Sequence, residues 1–266
     1  MSNDEGNCEE LKKLLTPKDP NNQHSDIPGE NGENKNIREA LLNMPNEIVS
    51  SFENGYALIN SGSFSQPPVG HGPLAKDLEA SADNHVYPPR DGRVFGIIHS
   101  HQKNTNSDPL GQNQYEHPMF SADDFLSLVT IRNNYSQNLA NFANSGDEIF
   151  TVVLSVNIFG IVHTYALKIE NSAKFENLNN ILSNRKERRK FNKELKREYE
   201  ALTRGNNPDI SALNYEKTFL KFISSNNHDV GLSLFKMDAE DVNNIKWNKL
   251  SLSADENSVN ETQPCR

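Results

Sequence analysis

A mixed α/β domain is the architecture this sequence points to, on three grounds. Val94-Phe95-Gly96-Ile97-Ile98 and the paired runs Ile149–Val156 and Ile158–Ile169 are short, apolar and rich in β-branched residues, as strands are. Ser121 to about Asn144 carries Phe125, Leu128, Val129 and Leu139 on or near one helical face. The order helix, strand, loop, strand, helix, hairpin then places a mixed core over roughly residues 36–170.

From the N-terminus, residues 1–35 read as a disordered polar tail. Glu9–Leu15 could form a short helix, but Pro17, Pro20 and Pro28 follow among many Asn, Asp and Gly. Asn36–Met44 has Ile37, Leu41 and Leu42 near helical spacing, and Pro45 ends it. Ser51–Ile59 reads as a strand. Ser61–Arg93 is rich in proline and glycine and reads as a long irregular connection, a kind of segment that often carries function. Val94–His101 is a buried strand, and Gln102–Phe120 a polar second loop. The helix from Ser121 ends at Asn144-Ser145-Gly146. Val152, Leu154 and Val156 then alternate opposite Ile161, His163, Tyr165 and Leu167, which gives a hairpin turning at Asn157. Residues 171–253 read as a helical extension with two late strands, and 254–266 as a frayed tail. Within that extension, 173–204 reads as one long charged helix with few buried positions, Tyr215–Ile223 as a short helix, and Val230–Lys236 and Trp247–Leu252 as the strands.

Composition narrows the function classes. The 266 residues suffice for one sizeable domain with an appendage. The formal charge of -9 and the pI near 5.4 argue against general nucleic-acid binding. The basic run Arg185–Glu198 holds eight Lys or Arg against three Glu, but no aromatic stacking platform is interleaved; it reads as a solvated helix face. No run of apolar residues is long enough for a membrane span, and Met1-Ser2-Asn3-Asp4-Glu5 is not the start of a secretory signal. The expected location is the cytoplasm, or outside the cell by a route that needs no such signal. Cys8 and Cys265, in polar terminal segments, make no disulfide framework and no cysteine-rich metal site. Any metal must be held by nitrogen and oxygen.

His99-Ser100-His101 supplies such donors. Residues two apart on a strand share a face, so two imidazoles stand side by side at the end of an apolar strand. Twenty residues after His101, Ser121-Ala122-Asp123-Asp124 opens the helix. Ser-x-x-Asp ahead of an apolar run is an N-cap signature in its own right. It also fixes the Asp124 carboxylate rigidly, which suits a ligand. Two histidines and a carboxylate are a catalytic zinc set that keeps its fourth position open for water. Glu53, ahead of Tyr56-Ala57-Leu58-Ile59, is the candidate general base, with Glu47 as the alternative. His71, His85, His117 and His163 are less attractive as ligands.

Glu53, His99-x-His101 and Ser121-x-x-Asp124 resemble the JAMM motif of the JAB/MPN metalloprotease superfamily, over about residues 45–170. The flanks agree: apolar Val94–Ile98 before the histidines, Phe120 before the serine, Phe125-Leu126 after the aspartate. There are departures. Gln102 stands where the family usually has proline, the stretch from His101 to Asp124 is longer, and Asn54-Gly55 follows the glutamate where the family's glycine often comes one residue later. The resemblance implies a curved mixed β-sheet flanked by helices. It also implies Zn2+ on His99, His101 and Asp124, Glu53 as the proton acceptor, Ser121 as a donor to the oxyanion, and hydrolysis of a peptide or isopeptide bond in a protein or peptide substrate. The polar tail, core and helical extension together are similar to the JAB-like domains of bacterial polymorphic toxin systems. The competing expectations are a non-catalytic scaffold on the same fold and a toxin-type effector domain.

Overall fold

The structure is a computed structural model, and it describes residues 3–15, 34–48, 52–59, 74–81, 85–101, 119–135, 146–158, 160–203, 211–225, 228–239 and 245–262. The fold is mixed α/β, with six α-helices among the described residues and one open, mostly antiparallel sheet. The helices are α1 (Asn3–Leu14), α2 (Ile37–Asn43), α3 (Ala122–Asn134), α4 (Ser172–Ser183), α5 (Arg185–Thr203) and α6 (Ala212–Ser224). The strands are β1 (Asn34–Asn36), β2 (Gly55–Ile59), β3 (Leu74–Leu78), β4 (Val94–Ser100), β5 (Thr151–Ile158), β6 (Ile161–Ile169), β7 (Leu232–Asp238), β8 (Lys246–Leu252) and β9 (Val259–Thr262). They lie in the order β1-β3-β2-β4-β5-β6-β7-β8-β9. Among the described strands, only β4 and β5 run parallel. No helix among the described residues is long and apolar enough to cross a membrane.

That one parallel pair places the candidate residues. Parallel neighbours need a crossover, and α3 is the helix of this one. The chain leaves the C-terminal end of β4, and α3 runs back along the sheet. The start of α3 therefore stands beside the end of β4 although the two are far apart in sequence. β4 is buried along its whole length, as a central strand covered on both faces must be. In register, Ile97 and His99 lie beside Val152 and Leu154 on the α3 face, while Ile98 and Ser100 lie beside Val153 and Ser155 on the other.

Several elements differ from the sequence expectation. The polar tail contains α1, whose Cys8, Leu11 and Leu14 are buried in the main core. The irregular connection contains β3, an edge-side partner of β2 with no β-branched residue to announce it. The hairpin turns beyond Asn157, at Gly160, whose φ of +86° favours glycine; the Gly160 amide donates to the Asn157 side chain. The long charged helix is two helices broken at Asn184, whose side chain accepts from the amides of Lys186 and Glu187 and so caps α5. The frayed tail contains β9, paired with β8. Residues 171–253 supply three helices and two strands to the same sheet and core: β7 continues from β6, and Phe191 and Phe219 pack on Phe125 of α3.

Cys8 is disulfide-bonded, and the chain's only other cysteine, Cys265, lies outside the described residues. The polar terminal segment around Cys8 did not announce this bond; α1, which carries Cys8, packs against β8.

Candidate metal centre

The site is built from three elements that the crossover brings to one end of one face. His99 and His101 close β4; both are buried, and their rings stand 5.3 Å apart between centroids. Asp124 comes from the first turn of α3. Glu53 precedes β2 by two residues, so it shares a face with Gly55, which is in register with His99.

Asp124 does two jobs with one carboxylate. Its Oδ2 accepts from the Ser121 amide at 2.6 Å and the Ser121 hydroxyl at 2.9 Å, closing the capping box that the sequence signature announced. Its Oδ1 lies 2.7 Å from His99 Nε2, and Oδ2 lies 3.4 Å from His101 Nε2. Glu53 Oε1 is 4.0 Å from His101 Nε2. Glu53, His99 and His101 offer ligand atoms within 4.8 Å of one another. Atoms bound at about 2.1 Å to one tetrahedral ion stand about 3.4 Å apart, and the observed contacts bracket that spacing.

The donor set fits a divalent cation on a further ground. Neither His99 ring nitrogen has a hydrogen-bond partner among the described residues, although Nε2 touches the Asp124 carboxylate. A buried imidazole this close to a carboxylate oxygen, yet off hydrogen-bond geometry, is compatible with a cation at the site. The buried group of Glu53, His99 and His101 can hold a metal ion.

The charge state of the two acids follows from their surroundings. Burial pushes Asp124 up, but the charge of His99 and its contacts with His101 and His99 outweigh it and hold Asp124 well below the usual carboxylate range. Burial likewise raises Glu53, and its hydrogen bond with His85 and the charges of His99 and His101 more than offset that. Both are carboxylates at neutral pH.

Residues outside the motif hold this arrangement. The serine of His-x-His faces away from the site: Ser100 Oγ accepts from the Asn54 amide at 3.1 Å, and the Ser100 amide donates to the Asn54 carbonyl at 2.9 Å. Asn54 is thereby pinned to β4, which fixes Glu53 one residue earlier. Gly55 is required by close approach: a Cβ there would stand 2.8 Å from Val86 Cγ1 and 3.0 Å from the Ile98 carbonyl oxygen. The Val86 amide donates to Glu53 Oε2 at 2.8 Å, and His85 Nδ1 lies 3.1 Å from Oε1. Tyr199, buried in α5, donates its hydroxyl to the Phe120 carbonyl and steadies the approach to Ser121.

The structure thus gathers Glu53, His99, His101, Ser121 and Asp124 at one place. Two roles change. Glu47 points elsewhere: its carboxylate accepts from the Tyr56 hydroxyl at 2.6 and 2.7 Å, and Tyr56 pairs with Ile98 on the opposite face of the sheet. Ser121 gives its hydroxyl proton to Asp124 and accepts from the Asp123 amide, so it meets an oxyanion only after rotating. Of the four histidines set aside, His85 proves to touch Glu53. His163 stacks on Tyr165 in β6, and burial with the nearby charge of Lys236 pushes it down to about 4. His71 and His117 lie outside the described residues. The signal that could have found His85 was weak: a lone histidine ahead of a valine in a loop.

Compared with known proteins, the chain matches no family model, no curated protein and no solved structure.

Proposed function

We propose that this chain is a zinc-dependent hydrolase of JAB/MPN type that cleaves a peptide or isopeptide bond in a protein or peptide substrate. The observation that carries the reading is the Asp124 carboxylate, in contact with both imidazoles while a buried, ionised Glu53 stands beside them. His99, His101 and Asp124 are the residues that would hold the ion. Zinc there would act as a Lewis acid and lower the pKa of a water in its open position to about 7.

The chain's own groups do the rest. Glu53 Oε1 accepts a proton from the attacking water and returns it to the leaving nitrogen as the C–N bond breaks. Ser121 keeps Asp124 aligned, and with a substrate in place its hydroxyl can turn to the developing oxyanion, a contact worth about 3 kcal/mol. Glu53, His99, His101 and Asp124 are all buried, which strengthens electrostatic interactions at the site relative to water.

The test is a fluorogenic panel of peptide and isopeptide substrates, run together with metal analysis. Wild type should hold zinc and cleave a member of the panel. Glu53→Gln should keep the metal and lose turnover. His101→Ala should lose both. Full activity in Glu53→Gln would end the assignment of the base, and a wild type that takes up no metal would end the hydrolase reading.

A further inference from the structure

We infer that His85 is a positioning residue that aims the Glu53 carboxylate; the assignment rests on the hydrolase reading above. Glu53 lies outside the β2 ladder, so strand pairing alone does not fix its side chain. Both carboxylate oxygens are held by consecutive residues of the segment leading into β4. Val86 donates its amide to Oε2 at 2.8 Å, and His85 Nδ1 meets Oε1 at 3.1 Å. Oε1 is also the oxygen that stands 4.0 Å from His101 Nε2, on the side of the proposed reaction. A carboxylate held by one hydrogen bond pivots about it. A carboxylate held at both oxygens presents the remaining lone pair of Oε1 in one direction.

The holder is itself anchored. The His85 carbonyl accepts from the Ser81 amide and the Ser81 hydroxyl, each at 2.8 Å, which fastens the segment at its start. Gly55 leaves room for the Val86 side chain, so β2, Val86 and Glu53 interlock. The partners also differ in burial. The Glu53 side chain is 5% exposed and that of His85 is 34% exposed, so His85 reaches the buried carboxylate from the rim of the site. Its Nδ1 is engaged by Glu53 Oε1, so it acts on the base and leaves the ion to His99, His101 and Asp124. None of this follows from the motif, which does not include residue 85.

Cobalt(II) is the probe, because its visible bands report both binding and the ionisation of water beside the ion. Wild type, Glu53→Gln, His85→Ala, His85→Asn and His85→Gln are loaded with cobalt, and the bands are followed against pH. His85→Ala should bind cobalt within a fewfold of wild type. Its titration midpoint should move toward that of Glu53→Gln, and turnover should fall by about 10–100-fold at unchanged KM. His85→Asn, whose amide nitrogen falls near the place of Nδ1, should recover the wild-type midpoint; His85→Gln, one carbon longer, should not. If His85→Ala does not fold, the contrast between Asn and Gln decides. A wild-type midpoint in His85→Ala or His85→Gln, with a displaced midpoint in Glu53→Gln, would overturn the role of His85 and leave the metal site standing. A wild type that binds no cobalt would overturn both.

Discussion

Gly55→Ala tests the packing that brings Glu53 to the imidazoles. The added Cβ would stand 2.8 Å from Val86 Cγ1, 3.0 Å from the Ile98 carbonyl oxygen and 3.3 Å from His99 Cβ. The Val86 methyl can move. The Ile98 oxygen belongs to the ladder between β2 and β4, so it yields only if the strands separate where Gly55 faces His99. Overpacking of this kind costs about 1–3 kcal/mol. At about 2–4 °C per kcal/mol for a chain of this size class, the melting temperature should fall by about 2–12 °C. Cobalt affinity should fall with it, because His99 sits on one of the strands being parted and Glu53 just ahead of the other. The control is Gly160→Ala, where nothing lies within 4 Å and the cost is backbone strain at φ +86°, about 1 kcal/mol. It should bind cobalt as wild type does. Differential scanning calorimetry and a cobalt titration read both effects. A Gly55→Ala protein that melts and binds like wild type would refute the close approach.

Three further outcomes follow from the fold. Leu11→Ala empties a fully buried position on α1 and should cost about 2–5 kcal/mol in urea unfolding; an effect near zero would mean that α1 is not part of the core. Reducing the disulfide at Cys8 should lower the melting temperature, by about 2–4 kcal/mol of stability, and Cys8→Ser should melt at the same temperature with and without reductant. Lys168, buried in β6 with its ammonium donating to the Glu148 carbonyl, is pushed by burial from 10.5 down to about 7. Between those values the unfolded chain holds a proton that the folded chain has released. Stability therefore rises with pH from about 7 towards 10, at up to about 1.4 kcal/mol per unit, and the penalty is fullest below 7. Urea midpoints at pH 7 and pH 9 should diverge in wild type and less so in Lys168→Met.

What the sequence made legible was local. The period of two in Val94–His101 put both imidazoles on one face, and the Ser121–Asp124 signature fixed where α3 begins; both hold in the structure. The parallel β4–β5 pair then turned a long sequence separation into contact. What stayed hidden depends on tertiary partners. α1 and β9 have little apolar pattern of their own and exist because β8 and the core receive them. β3 is short and lacks β-branched residues, so only its pairing with β2 reveals it. The break at Asn184 looked like one more polar residue in a charged run, yet its side chain starts a new helix. The same holds around the site: Ser100, Val86 and His85 act through backbone and side-chain bonds to residues 32 to 46 positions away, which no local spacing displays.

The central claim is that three side chains from β4 and α3 close around one divalent ion. Its most direct measurement is the zinc content, by inductively coupled plasma mass spectrometry, of wild type, His101→Ala and Asp124→Asn after dialysis against buffered zinc. A single ion per chain in wild type, with little or none in either variant, is the expected result. Wild type without stoichiometric zinc, or variants that retain as much as wild type, would contradict the account.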